Sequence, residues 1–444
     1  MRRLLPFAVA ALVAACVGSH PWAPTKPKPA TGTQIPSDVR SIYRAMGMLS
    51  DTAGLRCIGS LRYFAAGTPD STFAVLSISL ANRSLHFIPE GKGFAASYSV
   101  ELSFRRRGIS ARDVERDETV RVGSARETLR SDESVVFQQW VTVPPGTYAV
   151  DAVVRDRNNP VVASLEAIDS VPQFTGPSLA QPVAVYDGTG RTRVDSVPTI
   201  VLNPRSTLRL GTDTLRFYVE GYGLRPGARI VARTIDNDSV ELWRDTLVTA
   251  GDSSLARAMV LIEPGVLPLG RGKLLVDVVG TSAHAAAPLL VTFSDRWAVS
   301  GFDQMVTLLR FFPRQDLVAP LHSATKDQRA SAWHKFYQAS DPVPATPENE
   351  ALDQYFQRLD EANEHYGETT GPGWQTERGE VYIALGAPTR EFDVAGSVPG
   401  LRWEYDHPRL TLYFRDIGFG QFRLTPGSRT DFDKATAGMR TPAP

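Results

Sequence analysis

Cysteine is scarce in this 444-residue chain: only Cys16 and Cys57 occur. Two such thiols supply neither a disulfide framework nor a cysteine metal site. Histidine is scarce as well, and no two of the seven stand at a metal-ligand spacing such as HExxH. Neither charge sign is in excess, with Lys+Arg and Asp+Glu at 48 each. A nucleic-acid-binding role would need a basic surplus, so that class is set aside, and strong electrostatic steering goes with it. No GxSxG elbow, phosphate-binding loop or dinucleotide fingerprint occurs; Gly270-Arg271-Gly272-Lys273 lacks the preceding loop glycine. No metal and no cofactor is expected. The N-terminal apolar run, Leu4–Val13, is too short to span a bilayer.

That run is informative for another reason. Arg2 and Arg3 precede it, and the whole reads as an export signal. It ends Val13-Ala14-Ala15-Cys16, which resembles a bacterial lipobox. The resemblance implies that the Cys16 thiol takes a diacylglyceryl group and that cleavage frees its amine for acylation. Three acyl chains exceed the two signals that stable anchoring needs. Val17, not Asp, follows the cysteine, which under the usual sorting rule implies an outer-membrane address facing the periplasm. The competing reading is a soluble secreted protein with an incidental cysteine. Cys57 then has no partner in the chain and reads as a small buried residue.

The composition, 42% hydrophobic and 22% charged, is that of globular protein, and the length calls for about three domains. After the signal (1–15), a Pro/Lys-rich tether (16–36) cannot bury a core. A short helix over 37–54 starts from Ser37 as N-cap, with Val39, Ile42, Tyr43, Met46 and Leu49 near helical spacing. From 55 to 173 apolar residues alternate, as at Leu76, Ile78 and Leu80 or Tyr98, Val100, Leu102 and Phe104. Turns separate these runs, and the region reads as an Ig-like β-sandwich. Residues 181–295 read as a second one. Pro268-Leu269-Gly270 before Lys273–Val279 echoes Pro145-Gly146 before Tyr148–Val154. Asp236-Asn237-Asp238 lacks the Gly and distal Glu of a calcium loop and reads as a turn.

The period becomes helical over 296–370. Phe302, Met305, Val306, Leu309 and Phe312 share a face that Pro313 ends. Thr325 with Gln328 fits a capping box before Trp333, Phe336 and Tyr337. Thr346 as N-cap, with Pro347 after it, opens a helix whose face is Leu352, Tyr355, Phe356, Leu359, Ala362 and Tyr366. These faces are expected to pack on a small α+β module at 371–426, and 427–444 is expected to be a flexible tail. In that module Val381–Leu385 leans to strand. Leu401–Asp406, Leu410–Arg415 and Phe422–Leu424 form an antiparallel meander with one wet face. The fold class is therefore multidomain and mainly β: two tandem sandwiches, a helical segment, and the α+β module.

The module opens Gly373-Trp374-Gln375-Thr376-Glu377-Arg378-Gly379. Here the chain resembles the bacterial GWxTD-domain family. The likeness extends through Val381-Tyr382-Ile383, Gly386-x-Pro388, Trp403-x-Tyr405, Leu412-Tyr413-Phe414 and Gly418-Phe419-Gly420, and upstream to Asp341-Pro342 and Thr346–Glu350. The acidic position of the family name is Glu377 here instead of Asp, with a longer reach. The resemblance implies an envelope protein, often a lipoprotein, with no established reaction. The Gly-x-Pro, Trp-x-Tyr, Phe order is also similar to the small lipoprotein of the outer-membrane barrel-assembly machine, as a fold analogy.

Two readings of the motif compete. In one, Gly373, Trp374, Thr376, Glu377, Arg378 and Gly379 form a recognition loop that anchors a partner through Trp374. In the other, Trp374 plugs the core, Thr376 caps a helix and Glu377 pairs with Arg378. The function expected is that of a non-catalytic, lipid-anchored binding or scaffold protein of the bacterial envelope, with a protein partner. The alternatives are a cell-wall or glycan hydrolase using Glu377 with Asp416, or Asp406 with His407, and a carbohydrate-binding protein acting through the sandwiches.

Overall fold

A computed structural model describes residues 39–51, 55, 57–130, 135–210, 214–263, 265–293, 299, 301–345, 349–369, 371–395 and 399–440. The export signal, Cys16, the tether, Ser37, Thr346 and Pro347 lie outside the described residues. Among the described residues no helix is long and apolar enough to cross a membrane.

Helix α1 (Val39–Ala45) leads into a sandwich of nine strands: β1 (Leu49–Asp51), β2 (Cys57–Ala65), β3 (Thr72–Leu80), β4 (Ile88–Glu90), β5 (Gly93–Arg106), β6 (Ile109–Val122), β7 (Val135–Val143), β8 (Gly146–Asp156) and β9 (Val162–Val171), with a short helix α2 (Ala125–Thr128) before β7. One sheet runs β1-β2-β3-β7; the other runs β4-β5-β8-β9, with β6 on the far edge of β5. The alternation read from the sequence holds: Leu76, Ile78 and Leu80 face Tyr98, Val100, Leu102 and Phe104 in one core, which also buries Cys57. β6 keeps its charged residues exposed, as an edge strand should.

The second sandwich follows: β10 (Ser178–Leu179), β11 (Val183–Gly190), β12 (Thr199–Leu202), β13 (Thr207–Arg209), β14 (Leu215–Tyr222), β15 (Arg229–Asp236), β16 (Glu241–Val248), β17 (Ala250–Gly251), β18 (Ala256–Ile262), β19 (Gly270–Val278) and β20 (His284–Thr292). Its sheets run β12-β11-β14-β18-β17, with β10 beside β14, and β13-β20-β19-β15-β16. The echoed turns have the same place: β8 and β19 each start on a glycine of positive φ and form a hairpin with the next strand. Asp236 Oδ1 accepts from the N–H groups of Asp238 and Val240, so that stretch is a side-chain-closed turn.

The two sandwiches share a closed seam. Phe64 and Val75 of the first meet Val183, Ile200, Leu202, Tyr218 and Tyr222 of the second in one apolar cluster. At its edge Arg191 and Glu220 form an ion pair with side chains 1% and 0% exposed. Arg191 Nε and Nη2 donate to the two Glu220 oxygens at 3.0 and 2.7 Å. The guanidinium also donates to the carbonyls of Val194 and Ser196 and, across the seam, to that of Ala65 at 2.9 Å. Tyr218 and Tyr222 each donate to Glu220 at 2.6 Å. Every lone-pair direction of the carboxylate that faces protein is used, as a buried charge requires. Gly190 makes room: a Cβ there would sit 2.3 Å from the Tyr218 hydroxyl.

Helices α3 (Phe302–Leu308), α4 (Gln315–Ser323), α5 (Arg329–Ser340) and α6 (Glu350–Tyr366) come next. The Thr325–Gln328 capping box is present and opens a 3-10 turn that runs into α5. Asn349, not Thr346, is the N-cap of α6, its side chain accepting from Leu352 N–H. The helical segment packs on the C-terminal module as expected: Tyr355, Phe356 and Leu359 share a core with Trp374 and Ile383, and Tyr366 meets Tyr382 and Trp403. The same core continues into the second sandwich through Trp333, Phe336, Phe293, Leu274 and Leu289, while the C-terminal sheet keeps a further core of its own.

The C-terminal module holds α7 (Glu377–Leu385), β21 (Arg390–Val394), β22 (Gly400–Tyr405), β23 (Leu410–Asp416), β24 (Phe422–Leu424) and α8 (Pro426–Arg440). The strands form one antiparallel sheet in sequence order, so the meander is as expected with β21 added. Two expectations are corrected. Val381–Leu385 is the end of α7, not a strand: five residues carry no decisive period, and the cap at Thr376 decides. The 427–444 stretch is not a flexible tail over its described part. α8 packs on β23 and drives Phe432, 0% exposed, into the core with Trp403 and Phe414.

Candidate functional site

The GWxTD-like stretch is a joint between helices. Gly373 lies against α6 so closely that a Cβ would stand 1.9 Å from the Ala362 carbonyl. Gly379 meets the Gly373 carbonyl in the same way, at 1.8 Å. Both glycines are backbone-contact positions. Thr376 is the N-cap of α7: its hydroxyl donates to Gly373 O at 2.8 Å and accepts from Gly379 N–H at 3.0 Å. Trp374 is 2% exposed. Its backbone N–H donates to Asn363 Oδ1 at 3.1 Å, and the Arg310 guanidinium covers its ring at 4.5 Å. A side chain so enclosed offers no surface to a partner.

The acidic and basic positions reach outward from this joint, but not to each other. Glu377 Oε2 accepts from Leu424 N–H at 2.6 Å, and Arg429 of α8 lies 3.6 Å away. The longer arm of Glu377, relative to the family's Asp, spans to β24. Arg378 pairs with Glu368 at 3.5 Å and stacks on Phe422 at 4.2 Å. Burial lowers the Arg378 pKa, opposed by Glu368. Glu368 is itself buried; it receives Arg423 Nη1 at 3.1 Å and Phe422 N–H at 3.1 Å. The motif thus pins α6, α7, β24 and α8 together. Glu368 carried no sequence signal, because two of its partners, Phe422 and Arg423, are more than fifty residues away in the chain.

The carboxylates considered for acid–base work are engaged separately. Asp416 Oδ1 accepts from Gly418 N–H in its own turn, and Glu377 is held by Leu424 and Arg429. Asp406 pairs with Arg390 at 3.2 Å, and both Asp406 and His407 are exposed at the β22–β23 turn. Among the described residues no three His, Cys, Asp or Glu side chains gather as metal ligands. On the sandwiches the most exposed aromatic among the described residues is Tyr186, at 44%.

What the module does expose lies on the other face of its sheet and at its tip. Phe392, Arg402 and Tyr413 stand side by side on β21, β22 and β23, with the Arg402 guanidinium 4.2 Å over the Phe392 ring. Beyond them, Ile417 and Phe419 are 55% and 92% exposed. Gly418, Phe419 and Gly420 all have positive φ, at 105°, 54° and 71°. Hydrogen bonds from Ile417 N–H to Gln421 O and from Gln421 N–H to Gly418 O close this turn. In the sequence Gly418-Phe419-Gly420 figures in the family resemblance; the flanking glycines are the available signal that Phe419 sits at the apex of a turn.

Comparison with known proteins adds the following. No curated protein matches the chain. Among solved structures it is similar to red sea bream transglutaminase (11% identity, 57% of this chain and 33% of that one, TM-score 0.17). It is also similar to dimeric latent PorU of Porphyromonas gingivalis (10% identity, 53% and 20%, TM-score 0.24). A third is E. coli alpha-2-macroglobulin (12% identity, 55% and 16%, TM-score 0.19). The chain spans a third or less of the length of these three proteins. Residues 278–416 match the GWxTD domain family, a span that runs from the end of β19 through α7 to the last residue of β23. The joint at Gly373–Gly379 and strands β21 to β23 therefore lie within the span that matches the GWxTD domain family.

Proposed function

We propose that this chain is a non-catalytic, lipid-anchored protein of the bacterial cell envelope that docks a protein partner through the tip and open face of its GWxTD domain. Cys16 supplies the anchor and the outer membrane the address. The observation that carries the docking reading is Phe419. A bulky apolar residue in the left-handed region costs backbone energy, and at 92% exposure it returns no burial to the fold. Ile417 and the Phe392–Arg402–Tyr413 row extend the apolar surface. Arg390, Arg402 and Arg415 share that face with Glu404, which pairs with the first two, and Asp406, which pairs with Arg390; the arginines stay in excess, so the partner surface is an apolar recess bordered by carboxylates.

The test is crosslinking and recovery from native membranes with wild type, Phe419→Asp, Cys16→Ala and, as a surface control, Ile168→Asp. One partner recovered with wild type and the control but lost with Phe419→Asp supports the reading. An identical set from wild type and Phe419→Asp rejects the docking surface. Retention of Cys16→Ala in the membrane fraction rejects the anchor.

A further inference from the structure

The outer face of β2 lies under the second sandwich and α1. Ile58 on that face joins Ile42, Tyr43, Met46 and Leu290 in a small apolar cluster, and Phe64 joins the seam core. Between these two patches, where β1 no longer covers the edge of β2, there is a cavity of about 560 Å³. That size falls in the range of small-molecule sites. Its walls include Met46, Leu49, Phe174, Leu179 and Ala286.

Arg62 lines this cavity and is 6% exposed. Its Nη1 donates to the Leu61 carbonyl at 2.7 Å, and among the described residues no carboxylate forms an ion pair with it. Asp169 acts on it from across the cavity. That carboxylate is steadied by Tyr63, whose hydroxyl donates to Oδ2 at 2.8 Å, and by Ser170 N–H on Oδ1 at 2.8 Å. Burial lowers the Arg62 pKa to about 10 even though Asp169 opposes the shift. The other guanidinium nitrogens have no protein partner among the described residues and are not sealed off, so they remain open for a ligand in the cavity to meet.

We propose that this cavity binds a small zwitterionic α-amino carboxylate with an apolar side chain. The carboxylate sits on the Arg62 guanidinium, the ammonium faces Asp169, and the side chain lies against Met46, Leu49 and Phe174. Opposite charges separated across one cavity select for this class. A simple anion would meet Asp169 and a simple cation would meet Arg62, whereas a zwitterion complements both. The Ala285–Ala286 wall belongs to β20, within the span that matches the GWxTD domain family, and the proposal does not depend on the partner-docking reading.

The experiment is calorimetric titration of the full chain with L-leucine and L-phenylalanine, beside 4-methylpentanoate and 3-methylbutylamine, which each lack one charge. The expected result is saturable binding of an amino acid, with either singly charged analogue weaker by about tenfold or more. Arg62→Met keeps the length and removes the charge. It should abolish binding while raising the melting temperature of the ligand-free protein, because a lone buried cation is removed. Asp169→Asn should weaken the amino acid without weakening 4-methylpentanoate. No saturable heat up to roughly 10 mM of any ligand, a weak-site limit, overturns the proposal. So does unchanged affinity in Arg62→Met, or a fall in that variant's melting temperature, which would make Arg62 a residue of the fold.

Discussion

Arg62 and Arg191 are both buried at the seam between the sandwiches, and both touch β2, yet the protein treats them oppositely. Arg191 spends its donors on Glu220 and three carbonyls, one of them Ala65 O on the neighbouring domain. Arg62, three residues before Ala65, has one contact to its own chain neighbour and a cavity in front of it. The same residue type in the same seam is a clamp in one place and an open donor in the other. The C-terminal module repeats the contrast with aromatics: Trp374 is enclosed and Phe419 stands free. In each pair, satisfaction by neighbours separates what holds the fold from what is available to something else.

The largest expected break in this contrast is Arg191→Met. It leaves Glu220 charged and uncompensated at 0% exposure, a loss of about 3–5 kcal/mol in denaturant unfolding. Trp374→Ala should cost a similar or slightly smaller amount, about 3–4 kcal/mol by the same measurement, because a cavity opens beneath Arg310. Its loss of partner binding would follow from unfolding and would say nothing of contact. Glu377→Asp restores the residue of the family name but shortens the reach to Leu424 N–H. A loss of about 1 kcal/mol is expected, and an unchanged midpoint would show that β24 shifts to meet the shorter side chain. Phe419→Gly sharpens the contrast from the other end. It should not lower stability and should raise it by up to about 1 kcal/mol as the left-handed backbone is relieved, while removing the docking surface. A large loss there would place Phe419 among the residues that hold the fold.

Much of this architecture could be read from the chain itself. Alternation at Leu76–Leu80 and Tyr98–Phe104 gave both faces of the first sandwich, because period 2 is unambiguous over such lengths. Capping chemistry located α5 through Thr325 and Gln328. The misses have physical causes. Val381–Leu385 was too short to show a period, and α8 looked polar because its burial rests chiefly on Phe432. In the candidate site, Thr376 as a cap was legible, since its bond is local. The fates of Glu377 and Arg378 were not, for their partners Leu424, Arg429 and Glu368 come from other elements. Arg62 gave no signal at all: on a strand of alternating residues it belongs to the face usually turned to water, and the second sandwich and the end of α1 cover it.

Adjoining domains in one chain ordinarily swivel. Here the Arg191 guanidinium is bolted to both sides at once, and the apolar cluster around Phe64 and Tyr218 backs it. Taken as mechanics, the two sandwiches form a strut. A tug on the C-terminal domain would load this joint in shear, across several short polar bonds in parallel, before either sandwich could tilt. Under the proposed anchoring and docking, such a strut would hold the partner at a set standoff from the membrane surface.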